Sequence, residues 1–423
     1  MRKLVSLLFI WSFPLSVFAA FGDKPVNWSS SESVDFQDYV VRSLNRQNAI
    51  VQNYWAHYWL NQRFLKLNLA SPSPVDSTLP LILKDPTINA FAIPGNVIAI
   101  HTGLWRATDN ESELISVLAH EMAHIALDHF SRLTQKSNQQ ALTLATGILV
   151  SILLAQENPE VANAALISTF AGTAQSRLTF SRAMEVEADQ LAQSIMANTR
   201  YDTEAGRVFF QKLDDNASSA YEFLMTHPLG NTRSSKLSAN TSAPSSKPDE
   251  RLYLFLKAYV QGNSDVADLP LPAIQSDPAN PDLHFAHAIK QVSQESDTAT
   301  NSQRFKKITQ IFPSFLPAHF ELLNLQISQD SSAVCDTFNQ LNNRAQKEFL
   351  TLNVIENMKR AAERCQHRAA TYYWHGQFLW QSGREAEAIA FLGRSLKNEK
   401  ETNQAALLKT LLSQFTSRYE RFN

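Results

Sequence analysis

The chain has 423 residues, of which 44% are hydrophobic and 18% charged, the make-up of a globular protein with a sizeable core; an intrinsically disordered chain is excluded. A length of this order suggests roughly two or three domains. The formal net charge of −2 supplies no basic field for nucleic acid, and no RNA- or DNA-binding signature appears.

Residues 1–19 read as a secretory signal peptide. Arg2 and Lys3 precede an apolar run from Leu4 to Val17, and Val17-Phe18-Ala19 offers a small-residue cleavage site before Ala20. An uncleaved membrane anchor fits less well, because the run is short for a span. The mature chain divides at 238–250, a Ser/Pro-rich stretch poor in apolar residues that reads as a linker. Residues 20–237 carry all the recognisable chemistry, and 251–423 read as helical throughout.

The first informative element is Asn89–Gly103, a hairpin with its turn at Pro94-Gly95-Asn96 between two short strands rich in β-formers. An exposed strand here could pair with an extended substrate backbone by strand addition; a purely structural hairpin fits the residues equally well.

A helix follows. Asn110 is a good N-cap, with Glu113 three residues later as its capping-box partner. Leu114, Val117, Leu118, Met122 and Ile125 form an apolar stripe at helical spacing. Inside that stripe His120-Glu121-Met122-Ala123-His124 spells HExxH. Residues four apart stack on one helical face, so both imidazoles can reach one ion while Glu121 stands beside them as a general base. A buried helix with no metal would leave a Glu and two His in a core without partners, which is costly. The motif therefore predicts one Zn2+ per chain.

Two imidazoles do not complete such a site, which needs a third protein ligand and an open position. The three-His variant HExxHxxGxxH is excluded, because its Gly and His positions hold Leu127 and Phe130. A carboxylate from the segment Ser181–Asp189 is the other option. Glu185 and Asp189 lie four apart on one helical face, while Glu187 points elsewhere. With Glu185 on the metal, Asp189 is placed one turn on to accept the free ring N–H of a liganding His. A solvated acidic face is the default for an isolated cluster of this kind; the ligand still missing from the HExxH helix favours the metal. His129 has no ligand position and reads as structural.

Between these segments lie an apolar stretch, Ala141–Ala155, and a small-residue-rich run from Val161. Fifteen helical residues span only about 22 Å, short of the roughly 30 Å hydrocarbon core. A buried helical hairpin is expected, with peripheral contact to a membrane or an apolar client left open. Beyond the linker, Ala369, Tyr372, Gly376, Leu379, Gly383, Ala388 and Leu392 fit a tetratricopeptide repeat, and Pro281 and Pro313 sit about one 34-residue period apart, as repeat-terminating prolines do. Cys335 and Cys365, the two cysteines outside any metal-ligand spacing, are a candidate disulfide in an exported chain.

Over about residues 40–237 the chain resembles the HtpX and CAAX-prenyl-protease-type zinc metallopeptidases. The resemblance rests on Asn89-Ala90-Phe91-Ala92, the HExxH helix, Ser181-Arg182 with Glu185-x-x-Ala188-Asp189, and Thr226-His227-Pro228 with Arg233, in that order. It implies an α+β, mostly helical gluzincin-type domain with a small β-hairpin or sheet, followed by an α-helical tetratricopeptide-repeat solenoid. His120, His124 and Glu185 would be zinc ligands, Glu121 the base, and Asp189 the carboxylate that supports a liganding His. By the resemblance His227 would approach the metal and hold the enzyme closed; the residues alone equally allow transition-state stabilisation by His227 or a simple loop histidine. Asn89 and Arg233 would contact substrate or order the loop. The resemblance further implies a periplasmic endopeptidase of a Gram-negative bacterium that acts on unfolded polypeptide. Its clients would be misassembled outer-membrane β-barrel proteins, and its repeats would dock on the barrel-assembly machinery. A rival reading is an assembly chaperone or adaptor working mainly through the repeats.

Overall fold

The computed structural model describes residues 30–134, 182–215, 223, 227, 250–262, 268–294 and 297–422. The expected signal peptide, the apolar runs from Ala141 and Val161, Ser181, the side chain of Arg182, Thr226, Pro228, Arg233 and linker positions 238–249 lie outside the described residues. The chain separates into two compact units, Met1–Ala49 with Leu60–Pro248 and Arg418–Asn423, and Ile50–Trp59 with Asp249–Ser417.

The first unit opens with α1 (Ser30–Arg46) and takes in α2 (Tyr54–Ala70) from Leu60 onward. Three strands follow, β1 (Leu79–Leu83), β2 (Ala90–Ile93) and β3 (Val97–His101), in the sheet order β1-β3-β2. The hairpin expected from the sequence is β2 and β3, antiparallel with Phe91 opposite Ala99. Its turn uses Gly95 at φ 80° and Asn96 at φ 60°, the left-handed region that these two residues tolerate best. β1 runs parallel to β3 with Ile82 opposite Ile100. Its Leu-Pro-Leu-Ile-Leu sequence carries no alternation, and Pro80 is accommodated because β1 is an edge strand. β2 is the other edge, but all four of its residues are buried, so the strand-addition surface expected here is not an exposed one.

The chain continues through α3 (Thr102–Ala107), α4 (Glu111–Ala126), α5 (His129–Thr134), α6 (Arg182–Ala197) and α7 (Ala205–Asp215). α4 carries HExxH and is buried from Glu111 to His124. It packs against β2 and β3 and against α6 and α7. Leu114, Val117, Leu118 and Met122 are fully buried and Ile125 half-buried, and each complete burial stabilises the helix's seat by roughly 1.5–3 kcal/mol.

The start of α4 is anchored electrostatically. The Glu113 N–H donates to Asn110 Oδ1 at 3.0 Å, as a cap should. The returning bond of the expected capping box falls one residue earlier, where the Asp109 N–H donates to the Glu113 carboxylate at 2.9 Å. Lys212 of α7 lies 2.8 Å from both oxygens of that carboxylate. Glu111 receives Arg63 Nε at 3.1 Å and the Tyr201 hydroxyl at 2.9 Å. Two carboxylates in the first turn also face the positive end of the helix dipole.

The second unit is helical. It comprises α8 (Glu250–Val260), a 3-10 turn at Ile274–Ser276, α9 (Pro281–Gln294), α10 (Thr298–Ile311), α11 (Leu316–Ser328), α12 (Val334–Ala345), α13 (Leu352–Arg364), α14 (Arg368–Gln381), α15 (Glu385–Asn398) and α16 (Thr402–Phe422). From α8 to α15 each helix packs on the next, as in a repeat solenoid. The sequence-predicted repeat unit is α14 with α15. Gly383 turns the chain between them at φ 75°, and a Cβ on Gly376 would come within 3.0 Å of Leu392 Cγ, so a hydrogen is what lets the two helices approach. Pro281 departs from its expected role: it is the first residue of α9 and starts a helix rather than ending a repeat, a position where its missing N–H costs nothing. Pro313 lies in the connection from α10 to α11. Cys335 in the first turn of α12 is bonded to Cys365 at the end of α13, with 5.4 Å between their Cα atoms. Among the described residues no helix is long and apolar enough to cross a membrane.

Candidate metal centre

Three pieces of chain converge at one buried point. α4 presents His120 and His124 from consecutive turns, with their Nε2 atoms 2.9 Å apart. α6 presents Glu185, whose Oε2 lies 3.4 Å from His120 Nε2 and whose Oε1 lies 3.5 Å from His124 Nε2. His227 brings Nδ1 to 3.4 Å from His120 Nε2 and 3.3 Å from Glu185 Oε1. All four side chains are buried, and their donor atoms lie within 4.8 Å of one another. Four ligands around a tetrahedral ion at bond lengths of about 2.0–2.1 Å stand roughly 3.3 Å apart. The five contacts above, 2.9–3.5 Å, bracket that spacing, so the cluster is of the size a divalent metal would need.

The electrostatics agree with that use. Burial, and after it the neighbouring His120, push His124 well below the usual imidazole range, so its ring is neutral and keeps a lone pair for a metal. Burial works to raise the Glu185 carboxyl, but His227 and His120 beside it more than reverse this and hold it well below the usual carboxylate range. Neutral imidazole and ionised carboxylate are the forms that bind a cation.

Glu121, on the same helix, is completely buried, and among the described residues neither of its carboxylate oxygens has a hydrogen-bond partner. His227 faces it, with Nε2 3.3 Å from Glu121 Oε1. A buried carboxylate without hydrogen bonds is costly, which fits a group whose partner is a water or a substrate.

The supporting groups differ between the two α4 imidazoles. Asp189, one turn beyond Glu185, places Oδ1 3.0 Å from His120 Nδ1. His124 is backed instead by His129, with Nδ1 facing Nδ1 at 3.0 Å. His129 Nε2 in turn meets Glu187 Oε2 at 3.2 Å, and Arg132 pairs with the same carboxylate at 2.6 Å. Glu187 is pulled down to about 2, first by Arg132 and then by His129. The sequence expectation that Glu187 points away from the site is thus only half met. It is away from the donor cluster but joined to it through His129.

Asn89 is buried just before β2. Its carbonyl accepts from the His101 N–H at 3.0 Å, and its Oδ1 makes no hydrogen bond among the described residues. Two residues absent from the sequence reading wall the cluster. Phe223 lies four before His227, receives the His227 N–H on its carbonyl at 2.9 Å, and sets its ring 4.9 Å from the imidazole. Phe210 of α7 faces His120 at 6.0 Å between ring centroids. The four-residue spacing from Phe223 to His227 was the one available signal, and it is a weak one.

Residues 55–241 match the family model for peptidase family M48. The chain is 33% identical over 208 residues to the Beta-barrel assembly-enhancing protease of Escherichia coli (strain K12), an alignment covering 48% of this chain and 43% of that protein. It is 36% identical over 202 residues to the Putative beta-barrel assembly-enhancing protease of Vibrio cholerae, covering 47% and 42%. It is 30% identical over 158 residues to the Mitochondrial metalloendopeptidase OMA1 of Arabidopsis thaliana, covering 37% and 30%. Each match thus spans less than half of the relative's own length. HExxH on a buried helix, a carboxylate delivered by a later helix and the match to the family model agree: residues 55–241 of this chain are similar to the peptidases of family M48.

Proposed function

We propose that the protein is a zinc-dependent endopeptidase whose ligands are His120, His124 and Glu185, with Glu121 as general base. The observation that carries this reading is the set of donor contacts at 2.9–3.5 Å beside a buried carboxylate that has no hydrogen-bond partner among the described residues. Zinc in such a site activates water near neutral pH and polarises the substrate carbonyl. Glu121 takes a proton from the attacking water and returns it to the leaving amine, at a position that burial keeps free of competing solvent. Asp189 holds His120 with its Nδ1 proton directed away from the ion.

His227 is the lock of this site in our reading. Its Nδ1 stands where a fourth ligand would bind and its Nε2 faces the base, so the resting arrangement shuts out both water and substrate. Release of the His227 segment would open the fourth corner and free Glu121 together. Arg233 would help to order that segment or bind substrate backbone, and Asn89 would contact the substrate chain. The names of the relatives support a role in β-barrel assembly; outer-membrane β-barrel clients, the barrel-assembly machinery as partner and a place in the periplasm of a Gram-negative bacterium rest on the family resemblance and on the signal-peptide pattern of residues 1–19. A second reading is favoured by the solenoid and by the words "assembly-enhancing" in those names: an assembly chaperone acting through the repeats, with proteolysis secondary.

The test is zinc analysis together with degradation of an unfolded barrel protein by wild type and Glu121→Gln. Zinc at one per chain in both, with cleavage falling by roughly 10²–10⁴-fold in the variant, is the expected result. Retained cleavage would remove Glu121 as base. Full restoration of outer-membrane assembly by Glu121→Gln in a deletion strain would favour the chaperone.

A further inference from the structure

The two imidazoles of HExxH are held from behind in different ways, and the difference points to a role for His129. His120 is backed by a carboxylate, the ordinary arrangement for a metal-binding histidine. His124 is backed by a second imidazole. His129 is fully buried, and its ring stands nearly perpendicular to that of His124, at 71° with 5.0 Å between centroids. It opens α5, immediately after Asp128, whose φ of 51° breaks the path of α4 and starts a new helix. Without that break the chain would continue along α4, and position 129 would not face back toward His124.

Proton bookkeeping allows one arrangement. With His124 Nε2 turned to the donor cluster, its proton is on Nδ1 and is donated to His129 Nδ1 at 3.0 Å. Two Nδ1 atoms cannot share that contact if both carry protons, so His129 must be neutral and hold its own proton on Nε2. That proton is donated to Glu187 Oε2 at 3.2 Å. Arg132 grips Glu187 through both of its terminal nitrogens, Nη1 at 2.6 Å and Nη2 at 3.3 Å. A line of three hydrogen-bonded groups thus runs from the surface pair Arg132–Glu187 to the donor nitrogen of His124.

We propose that His129 is the positioning residue of the metal centre: it fixes the tautomer and ring orientation of His124, and Glu187 with Arg132 fixes His129. This rests on the reading of His124 as a ligand. It assigns to three residues outside the donor set a share of metal affinity, not of bond cleavage.

The experiment measures Zn2+ affinity of the full chain by chelator competition, and the visible absorption of the Co2+-substituted protein. The proteins are wild type, His129→Phe, His129→Asn and Glu187→Ala. His129→Phe keeps the ring volume and removes the acceptor; it is expected to weaken Zn2+ binding by roughly 10–100-fold and to shift the Co2+ bands. His129→Asn places an acceptor oxygen where Nδ1 stands, and should recover affinity to within roughly threefold of wild type, a rescue that a packing role would not produce. Glu187→Ala alters a side chain that is 40% exposed, so folding is spared, and should weaken binding by roughly threefold to tenfold. Glu187→Ala decides the matter should His129→Phe fail to fold. Tight wild-type binding unmoved by the variants, with unchanged Co2+ bands, overturns the role of His129 alone. A wild-type protein without tight Zn2+ would overturn the ligand assignment itself and this inference with it.

Discussion

His227 Nε2 lies 3.3 Å from Glu121 Oε1, while the Nδ1 of the same ring lies 3.3 Å from Glu185 Oε1. One imidazole therefore engages the proposed base and the proposed metal corner at once. His227→Ala is expected to raise basal cleavage of an unfolded polypeptide by roughly tenfold, the gain from abolishing a closed state that holds about nine-tenths of the molecules. Initial rates at saturating zinc measure it. A fall in rate would assign His227 to transition-state stabilisation.

Arg63 and Glu111 form a buried pair at the start of α4, each side chain 6% exposed. Arg63→Met leaves the Glu111 carboxylate with the Tyr201 hydroxyl but without a counter-charge. Loss of about 3 kcal/mol is expected, since removing one partner of a buried pair strands the other. The shift in urea midpoint at fixed zinc reports it, and a shift below about 0.5 kcal/mol would mean that the pair is solvated in solution.

His57 is buried, holds the Val51 carbonyl through Nε2 at 2.8 Å, and is lowered to about 4 by burial. Its folded pKa lies below the unfolded 6.5, so between those values the unfolded chain binds a proton that the folded chain refuses. Stability is full above about pH 6.5 and declines as pH falls toward 4, by on the order of 3 kcal/mol from this residue. His57→Gln keeps a donor for Val51 without the titration, so its melting temperature should fall less steeply from pH 6.5 to 4.5 than that of wild type. Parallel curves would refute the assignment.

Gly376 meets Leu392 with only a hydrogen between α14 and α15. Gly376→Val would press on Leu392 and on the Ala388 carbonyl, 3.3 Å from the first added carbon. A loss of about 1–3 kcal/mol is expected from overpacking. Adding Leu392→Ala to the same chain should cost less than the two changes cost separately, as a thermal double-mutant cycle would read.

Much of this arrangement was legible in the sequence because it is local. HExxH, the Glu185/Asp189 spacing and the Gly376/Gly383 pattern each lie within a few turns of helix, where periodicity fixes which side chains share a face. What escaped depends on contacts between segments distant in sequence. β1 carries an unbroken apolar run with a proline, and only its pairing with β3 makes it a strand. His129 falls five residues after His124, off the face that spacing alone would assign it, until the break at Asp128 turns it back. Glu187 was set aside because it lies off the Glu185/Asp189 face, and that displacement is what lets it reach His129. Pro281 was read through a repeat period, whereas the physical preference of proline for the first helical turn decided its place.

The bond between Cys335 and Cys365 ties the first turn of α12 to the last of α13, a separation of 30 positions. Such a link persists only where thiols are oxidised. The solenoid therefore has two versions, an open one when the two thiols are reduced and a stapled one when they are oxidised. Closing a loop of this size typically adds about 3–4 kcal/mol. The bond thus makes the final rigidity of the helical unit depend on the redox surroundings in which it stands.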